Sequence, residues 1–275
     1  MGNSMKMCKK ILSDETILYI FNTFDGYKIE SVFSKSHHGL CVSTQIGCKI
    51  GCLFCASCKN GFIRNLNKDE LQYQIDFVTQ DQAFLNDLHF AGIGEPLLNY
   101  DSVISVFEEN KPHIKDIYIT TSAPSLAHLN NILKYDFTRV FISFHSFDGE
   151  TRKKIMPHSL NPNEIINNLS EKIKCNDSFK EKIYIGYLLL HDINDSPNDI
   201  EHLTRISMEL DIPVYLMFCN RISYNSKFFT DERRFDEVIS LLDKKNIRFS
   251  KSSPARRDRI GGCGTLRVNR NEMLI

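Results

Sequence analysis

Residues 17–21 alternate weakly between apolar and polar, Asp25-Gly26 supplies a turn, and 27–33 resumes the alternation, which predicts a β-meander early in the chain. A third extended run, 40–45, leads into a stretch crowded with cysteine. Beyond it the period lengthens. Asn67 followed three residues later by Glu70 has the pattern of a capping box and opens a helix to about residue 84, ahead of a short strand at 88–91. Further strands are predicted at 117–120, 140–143, 183–190, 214–218 and 247–250, with helices at 102–109, 125–133, 163–173, 198–210 and 231–244. Strands that recur with helices between them imply βαβ units and a parallel sheet. Six such strands suit an open or closed α/β barrel, whose reactive groups gather at the carboxyl ends of its strands.

Composition narrows the class. The chain has 275 residues, 42% hydrophobic and 25% charged, enough for one large domain or two modest ones. Lys plus Arg and Asp plus Glu both number 34, so no global basic charge points to nucleic acid, and an RNA partner has to be argued from a local site. Lys6, Lys9 and Lys10 are followed by Asp14 and Glu15 without an apolar segment, unlike a secretory signal, and Lys6 stands where a myristoylation motif wants Ser or Thr. No apolar run is long enough to span a bilayer, so a soluble cytoplasmic protein is expected. Nine cysteines, four of them between 48 and 58, suit metal or redox chemistry better than a disulfide framework.

Cys48-x3-Cys52-x2-Cys55 places three thiolates on a loop after a strand, a set that suits the soft iron of a [4Fe–4S] cluster with one iron left open. With Cys58 the same loop could also hold structural zinc or a four-ligand electron-transfer cluster. Gly92-x-Gly94-Glu95-Pro96 follows a strand. Its glycines let backbone approach a ligand and Glu95 offers a carboxylate for an ammonium group, while the bland reading is a tight turn before a helix. Thr120, Ser143, His145 and Asn220 are polar groups at strand ends, placed either to bind a ligand or to cap. Cys8, Cys175 and Cys219 read as inert small hydrophobes.

Cys41-Val-Ser-Thr-Gln-Ile-Gly-Cys48, Cys52-Leu-Phe-Cys55 and Gly61-Phe-Ile-Arg-Asn-Leu66 together resemble the RlmN/Cfr family of radical S-adenosylmethionine (SAM) RNA methyltransferases. The likeness continues in order through Gly92–Tyr100, Thr120-Thr-Ser122, Ser143-Phe-His145, Asn194-Asp195, Asn220 and Cys263-Gly-Thr-Leu266. It implies a partial (β/α)6 radical SAM barrel over 40–275 with an N-terminal β-meander extension over 1–39. It also implies a [4Fe–4S] cluster on Cys48, Cys52 and Cys55, and SAM contacts from Gly94, Glu95, Thr120, Ser143, Phe144, His145 and Asn220.

Cys41 and Cys263 match the two further cysteines of this methyltransferase class. By resemblance, Cys263 takes a methyl group from one SAM. A 5′-deoxyadenosyl radical from a second SAM activates that group, and the carbon adds to C2 (less favoured, C8) of an adenine in 23S ribosomal or transfer RNA. Glu30 matches the proposed proton acceptor, and Cys41 then attacks the Cys263 sulfur to release product with a disulfide. A flavodoxin-type protein would supply electrons. Lys251, Arg256, Arg257 and Arg259 form a basic run suited to holding phosphates near Cys263. Family members carry a helical RNA-contacting domain before the meander, whereas about 15 residues precede it here, and Cys58 stands where a small non-thiol residue is usual. Those departures keep a second reading open, the same methylation chemistry on a small molecule or peptide. A nonenzymatic iron–sulfur or zinc protein would not need Cys41 and Cys263.

Overall fold

The computed structural model describes residues 5–222 and 228–270. Three antiparallel strands open it: β1 (Lys6–Leu12), β2 (Thr16–Asn22) and β3 (Lys28–Ser34). β3 pairs antiparallel with β4 (Gly39–Val42), and from β4 onward every neighbour in the main sheet is parallel. After β4 come the two-stranded ribbon β5 (Gln45–Gly47) and β6 (Phe62–Asn65), then α1 (Lys68–Gln82) and β7 (Asp87–Phe90). The alternation continues with α2 (Tyr100–Asn110), β8 (Asp116–Thr121), α3 (Leu126–Ile132), β9 (Arg139–Ser143), α4 (Gly149–Ile155), α5 (Pro162–Cys175) and α6 (Phe179–Lys182). It closes with β10 (Ile183–Leu189), α7 (Pro197–Leu210), β11 (Val214–Phe218), α8 (Glu232–Lys244) and β12 (Phe249–Lys251).

The main sheet has ten strands in the order β1-β2-β3-β4-β7-β8-β9-β10-β11-β12, and among the described residues its two ends do not pair. Six helical crossovers therefore link seven parallel strands into an open α/β barrel, as the pattern requires. The expected meander is not a separate layer: its hydrogen-bond ladder runs into the barrel sheet through the β3–β4 pairing.

Three differences from the predicted elements have physical causes. β1, absent from the prediction, is an edge strand whose exposed lysines mask the apolar alternation and guard the edge against pairing with another chain. The single run expected at 40–45 is broken at Ser43. Its N–H donates to Gln74 Oε1 (2.9 Å) and its carbonyl accepts from Gln74 Nε2 (3.0 Å), so a side chain replaces the ladder there. α4 and α6 were not predicted because one or two turns are too short to show a helical period.

The capping box forms as expected, Glu70 N–H donating to Asn67 Oδ1 (2.9 Å) and Asn67 N–H to Glu70 Oε2 (3.0 Å). α1 lies over the meander, with Phe77 edge-on to Tyr19 and Phe21 at 6.2 and 5.8 Å. The central parallel strands β9–β11 are buried almost throughout, and Val140, Ile142, Ile185, Leu189, Val214 and Leu216 are inaccessible to solvent.

Candidate active site

A cavity of about 440 Å³ opens inside the barrel, lined by Cys41, Cys55, Thr120, Ser143, His145, Asn220 and Cys263 among others. The βα connections bring these groups together from β4, the cysteine loop, β8, β9, the end of β11 and the C-terminal segment.

The cysteine loop follows β5. Leu53 N–H donates to Ile155 O (3.0 Å) and His158 N–H to Ile50 O (3.4 Å), which anchors the loop on α4 and the turn after it. The neighbouring Cys58 sulfur and burial push the Cys48, Cys52 and Cys55 thiols up, while the same three neighbours push Cys58 down. Four soft sulfur donors gathered on one short loop suit iron by their chemistry, so these residues fit an iron–sulfur cluster. Cys55→Ala is expected to lose most of the bound iron and the charge-transfer absorption near ~400 nm, since two protein ligands hold a cluster poorly. Cys58→Ser should keep both if three thiolates suffice, which iron analysis and visible spectra on anaerobically purified protein would check.

The glycine loop after β7 is shaped first by packing. A Cβ on Gly92 would meet Val42 C and O at 2.7 Å, and one on Gly94, at φ +110°, would meet Gln45 Cβ at 2.6 Å. Both glycines thus admit the neighbouring β4–β5 backbone. Gly92 lines the cavity. Glu95 is 4% exposed and already satisfied: Oε1 accepts from Thr121 Oγ1 (2.6 Å) and Leu97 N–H (3.1 Å), Oε2 from Ser122 N–H and Oγ (both 2.8 Å). Burial pushes its carboxyl up against the opposing pull of these donors. Gly94 and Glu95 are therefore placed behind the wall rather than on it.

Thr120 and Ser143 lie on the wall as the strand-end rule expects. Phe144 instead faces the core, stacked on Phe147 at 5.2 Å. His145 sits at φ +56°, its Nδ1 accepting from Leu188 N–H (3.0 Å), which leaves the proton on Nε2. Burial, reinforced by the charge of Arg152, pulls its pKa down to about 3, so it is neutral at physiological pH. Behind these strand ends Arg152 is fully buried and donates to the carbonyls of Ser122 (2.7 Å), Ser143 (2.7 Å), Phe144 and Leu160 (2.8 Å). Asn220, expected as a SAM contact, donates from Nδ2 to Arg256 O (2.8 Å) and Cys263 O (3.0 Å), fixing the segment that carries Cys263.

Cys41 projects from β4 opposite Val32 and His89, and desolvation pushes its thiol up to about 12, partly countered by Arg256. The segment around Cys263 is stapled to the cysteine loop: Ala56 N–H donates to Gly264 O (2.9 Å), Ser57 Oγ to Leu266 O (2.9 Å) and Asn60 Nδ2 to Val268 O (3.2 Å).

Glu30 is not on the cavity wall. Fully buried, it pairs with Arg270 and accepts from Arg267 N–H (2.8 Å). The basic run is not one surface either. Arg256 points inward, Arg257 pairs with Glu232 (2.6 Å) over the Phe218 ring (4.2 Å), and Lys251 and Arg259 are exposed. Sequence reasoning passed over Asp87 and His89, which line the cavity from β7. Their signal was two polar residues two apart in an otherwise apolar strand, and so on one face.

Residues 42–204 match the Radical SAM superfamily model. A probable dual-specificity RNA methyltransferase RlmN of Finegoldia magna is 32% identical across 97% of this chain and 80% of its own length. One from Aquifex aeolicus is 30% identical across 96% and 80%. Among solved structures, a radical SAM methyltransferase from Sphaerobacter thermophilus superposes with a TM-score of 0.81 at 24% identity, covering 96% of this chain and 81% of that one. SuiB of Streptococcus suis bound to S-adenosylmethionine superposes at 0.58 and 17%, covering 80% and 52%. Both structures speak for the fold. With a superfamily match over the greater part of its length and relatives above the threshold of chance along nearly all of it, the chain belongs to the radical SAM superfamily and, within it, to the RlmN family.

Proposed function

We propose that this radical SAM methyltransferase transfers a methyl group from SAM, by way of Cys263, to an adenine carbon of ribosomal or transfer RNA, with C2 as the position and C8 as the alternative. The observation that carries the reading is one cavity uniting Cys41, Cys263, Cys55 of the cluster loop and the polar ends of β8 and β9. The RNA part is supported by the relatives, named RNA methyltransferases along nearly this whole chain.

The cofactors are a [4Fe–4S] cluster and SAM. Cys48, Cys52 and Cys55 would hold three irons, with the fourth left to SAM. When bound, the cluster supplies a low-potential electron to SAM, which opens a radical route to a carbon too electron-poor for polar methylation. The chain's own residues do the rest. Cys263 accepts the methyl group and carries it to the base. The Cys41 thiolate then attacks the Cys263 sulfur, forming the S–S bond as the carbon–sulfur link to product breaks; the electron pair of that link stays on the product carbon, which takes a proton to become the methyl group. Thr120, Ser143 and His145, which line the cavity, would hold SAM's polar groups, with Asn220 acting through the Cys263 segment. Glu30, off the cavity wall and paired with Arg270, has no part in the proposed proton path.

In this reading 1–39 is an extension on the catalytic unit 40–275, and a flavodoxin-type protein supplies the electrons. Among the described residues no helix is long and apolar enough to cross a membrane. Free cysteines and an oxygen-sensitive cluster suit a reducing cytoplasm.

Anaerobic incubation with methyl-labelled SAM, reductant and RNA from a strain lacking the family's ribosomal methyltransferase should yield methyladenosine by nucleoside mass spectrometry, and Cys263→Ala should yield none. Methylated Cys263 without an RNA product would sink the RNA reading.

A further inference from the structure

Four side chains not joined by any assigned role form a line across the cavity. Asp87 Oδ1 lies 3.1 Å from His89 Nε2, His89 Nδ1 lies 2.8 Å from Arg256 Nη2, and Arg256 Nη1 donates to Cys263 Sγ at 3.5 Å. Arginine has no acceptor, so His89 Nδ1 must accept and its proton must sit on Nε2, pointing at Asp87. Burial, with Arg256 adding to it, pulls His89 down to about 4, in keeping with that neutral tautomer. The guanidinium lies over the Tyr215 ring at 5.5 Å, and the His89 ring packs tilted against Tyr118 at 4.4 Å, so aromatic rings crowd both groups.

The backbone is built around the same line. A Cβ on Gly39 would come within 2.1 Å of Asp87 Oδ1, and one on Gly262 within 2.8 Å of Arg256 O. Cys263 N–H donates to Arg256 O at 3.0 Å, so the arginine grips the cysteine by main chain and side chain together.

We propose that Arg256, aimed by His89 and Asp87, is the positioning residue that presents the Cys263 sulfur to the methyl donor. The inference rests on the reading of Cys263 as methyl carrier. In the transfer, a sulfur lone pair of the Cys263 thiolate forms a bond to the methyl carbon as the carbon–sulfonium bond of SAM breaks. S-adenosylhomocysteine leaves, and both the thiolate and sulfonium charges are annulled. No electron is gained or lost, and the proton of the parent thiol goes to solvent. A guanidinium N–H binds a thiolate through a charge-assisted hydrogen bond but a thioether only weakly. Arg256 therefore holds the sulfur before methylation and lets it go afterwards, when the loaded methyl has to turn toward the base.

The test uses anaerobic holoenzyme with methyl-labelled SAM and no reductant, following label on the Cys263 peptide by mass spectrometry. Arg256→Gln should slow loading at saturating SAM by about tenfold with the half-saturating SAM concentration unchanged, the size expected for one hydrogen bond to a charged group. Arg256→Lys should recover part of the rate and His89→Leu should lose about threefold, as expected for a partner that only aims the donor. Equal loading in Arg256→Gln would overturn the proposal, as would failure of lysine to rescue while His89→Leu is silent. Iodoacetamide alkylation of Cys263, ratioed to exposed Cys175 in the same digest, separates this proposal from the reading beneath it. If wild-type Cys263 takes no methyl at all, that reading falls. Slower alkylation in Arg256→Gln then still supports the role of Arg256, and unchanged alkylation removes it.

Discussion

Cys41→Ala is expected to convert the protein from a catalyst into a trap, with RNA covalently attached through Cys263 and less than about one product per chain. The geometry explains why no other thiol should rescue it. Cys41 lies on β4 in the cavity that holds Cys263 and Arg256, whereas Cys8 and Cys175 are exposed elsewhere; Cys219 lines the same cavity, but its Sγ is directed at Asn220 O at 3.8 Å. Denaturing gels of reactions with labelled RNA would show a shifted, nuclease-sensitive band that peptide mapping assigns to Cys263. Free methylated RNA released over many turnovers by this variant would remove Cys41 from the resolving role.

The second large effect falls on stability. Arg152→Leu should destabilise the fold by about 3 kcal/mol or more, because three buried carbonyls and one half-buried one lose their donor and each unpaired buried polar group costs roughly 1–3 kcal/mol. Removing a buried charge offsets part of that loss. Even so, the remainder is a large share of the 5–15 kcal/mol typical of a domain. The damage should concentrate at the ends of β8 and β9, where Ser122, Ser143 and Phe144 are held in place. Denaturant unfolding of cluster-free protein isolates the effect from iron loss, and a shift under about 1 kcal/mol would mean that water or neighbouring amides satisfy the carbonyls.

Much of this was legible because the signals were local. The cysteine spacing, the capping box at Asn67 and the alternation of strands with helices each depend on residues close in sequence, and the capping box and the alternation appear where expected. What was not legible depended on where side chains far apart in sequence meet. Arg256 read as one member of a basic run, yet it turns inward to His89, 167 positions away. Glu30 read as a strand carboxylate with a chemical role, and its partner Arg270 lies 240 positions on. Asn220 shows the same limit: its place at a strand end was readable, but not its grip on Cys263. A charged residue advertises that it needs a partner, and only the fold decides which one it finds.

The hydrogen bonds between the cysteine loop and residues 264–268 make two sites into one cooperative unit. By linkage, any free energy gained when iron orders the loop also opposes opening of the segment that carries Cys263. On the proposed reading of Cys263, cluster assembly is then a maturation step for the methyl carrier as well as for the electron pathway. A chain short of iron would leave Cys263 and Cys41 in a looser cavity, open to unproductive oxidation into the disulfide on which the proposed cycle ends.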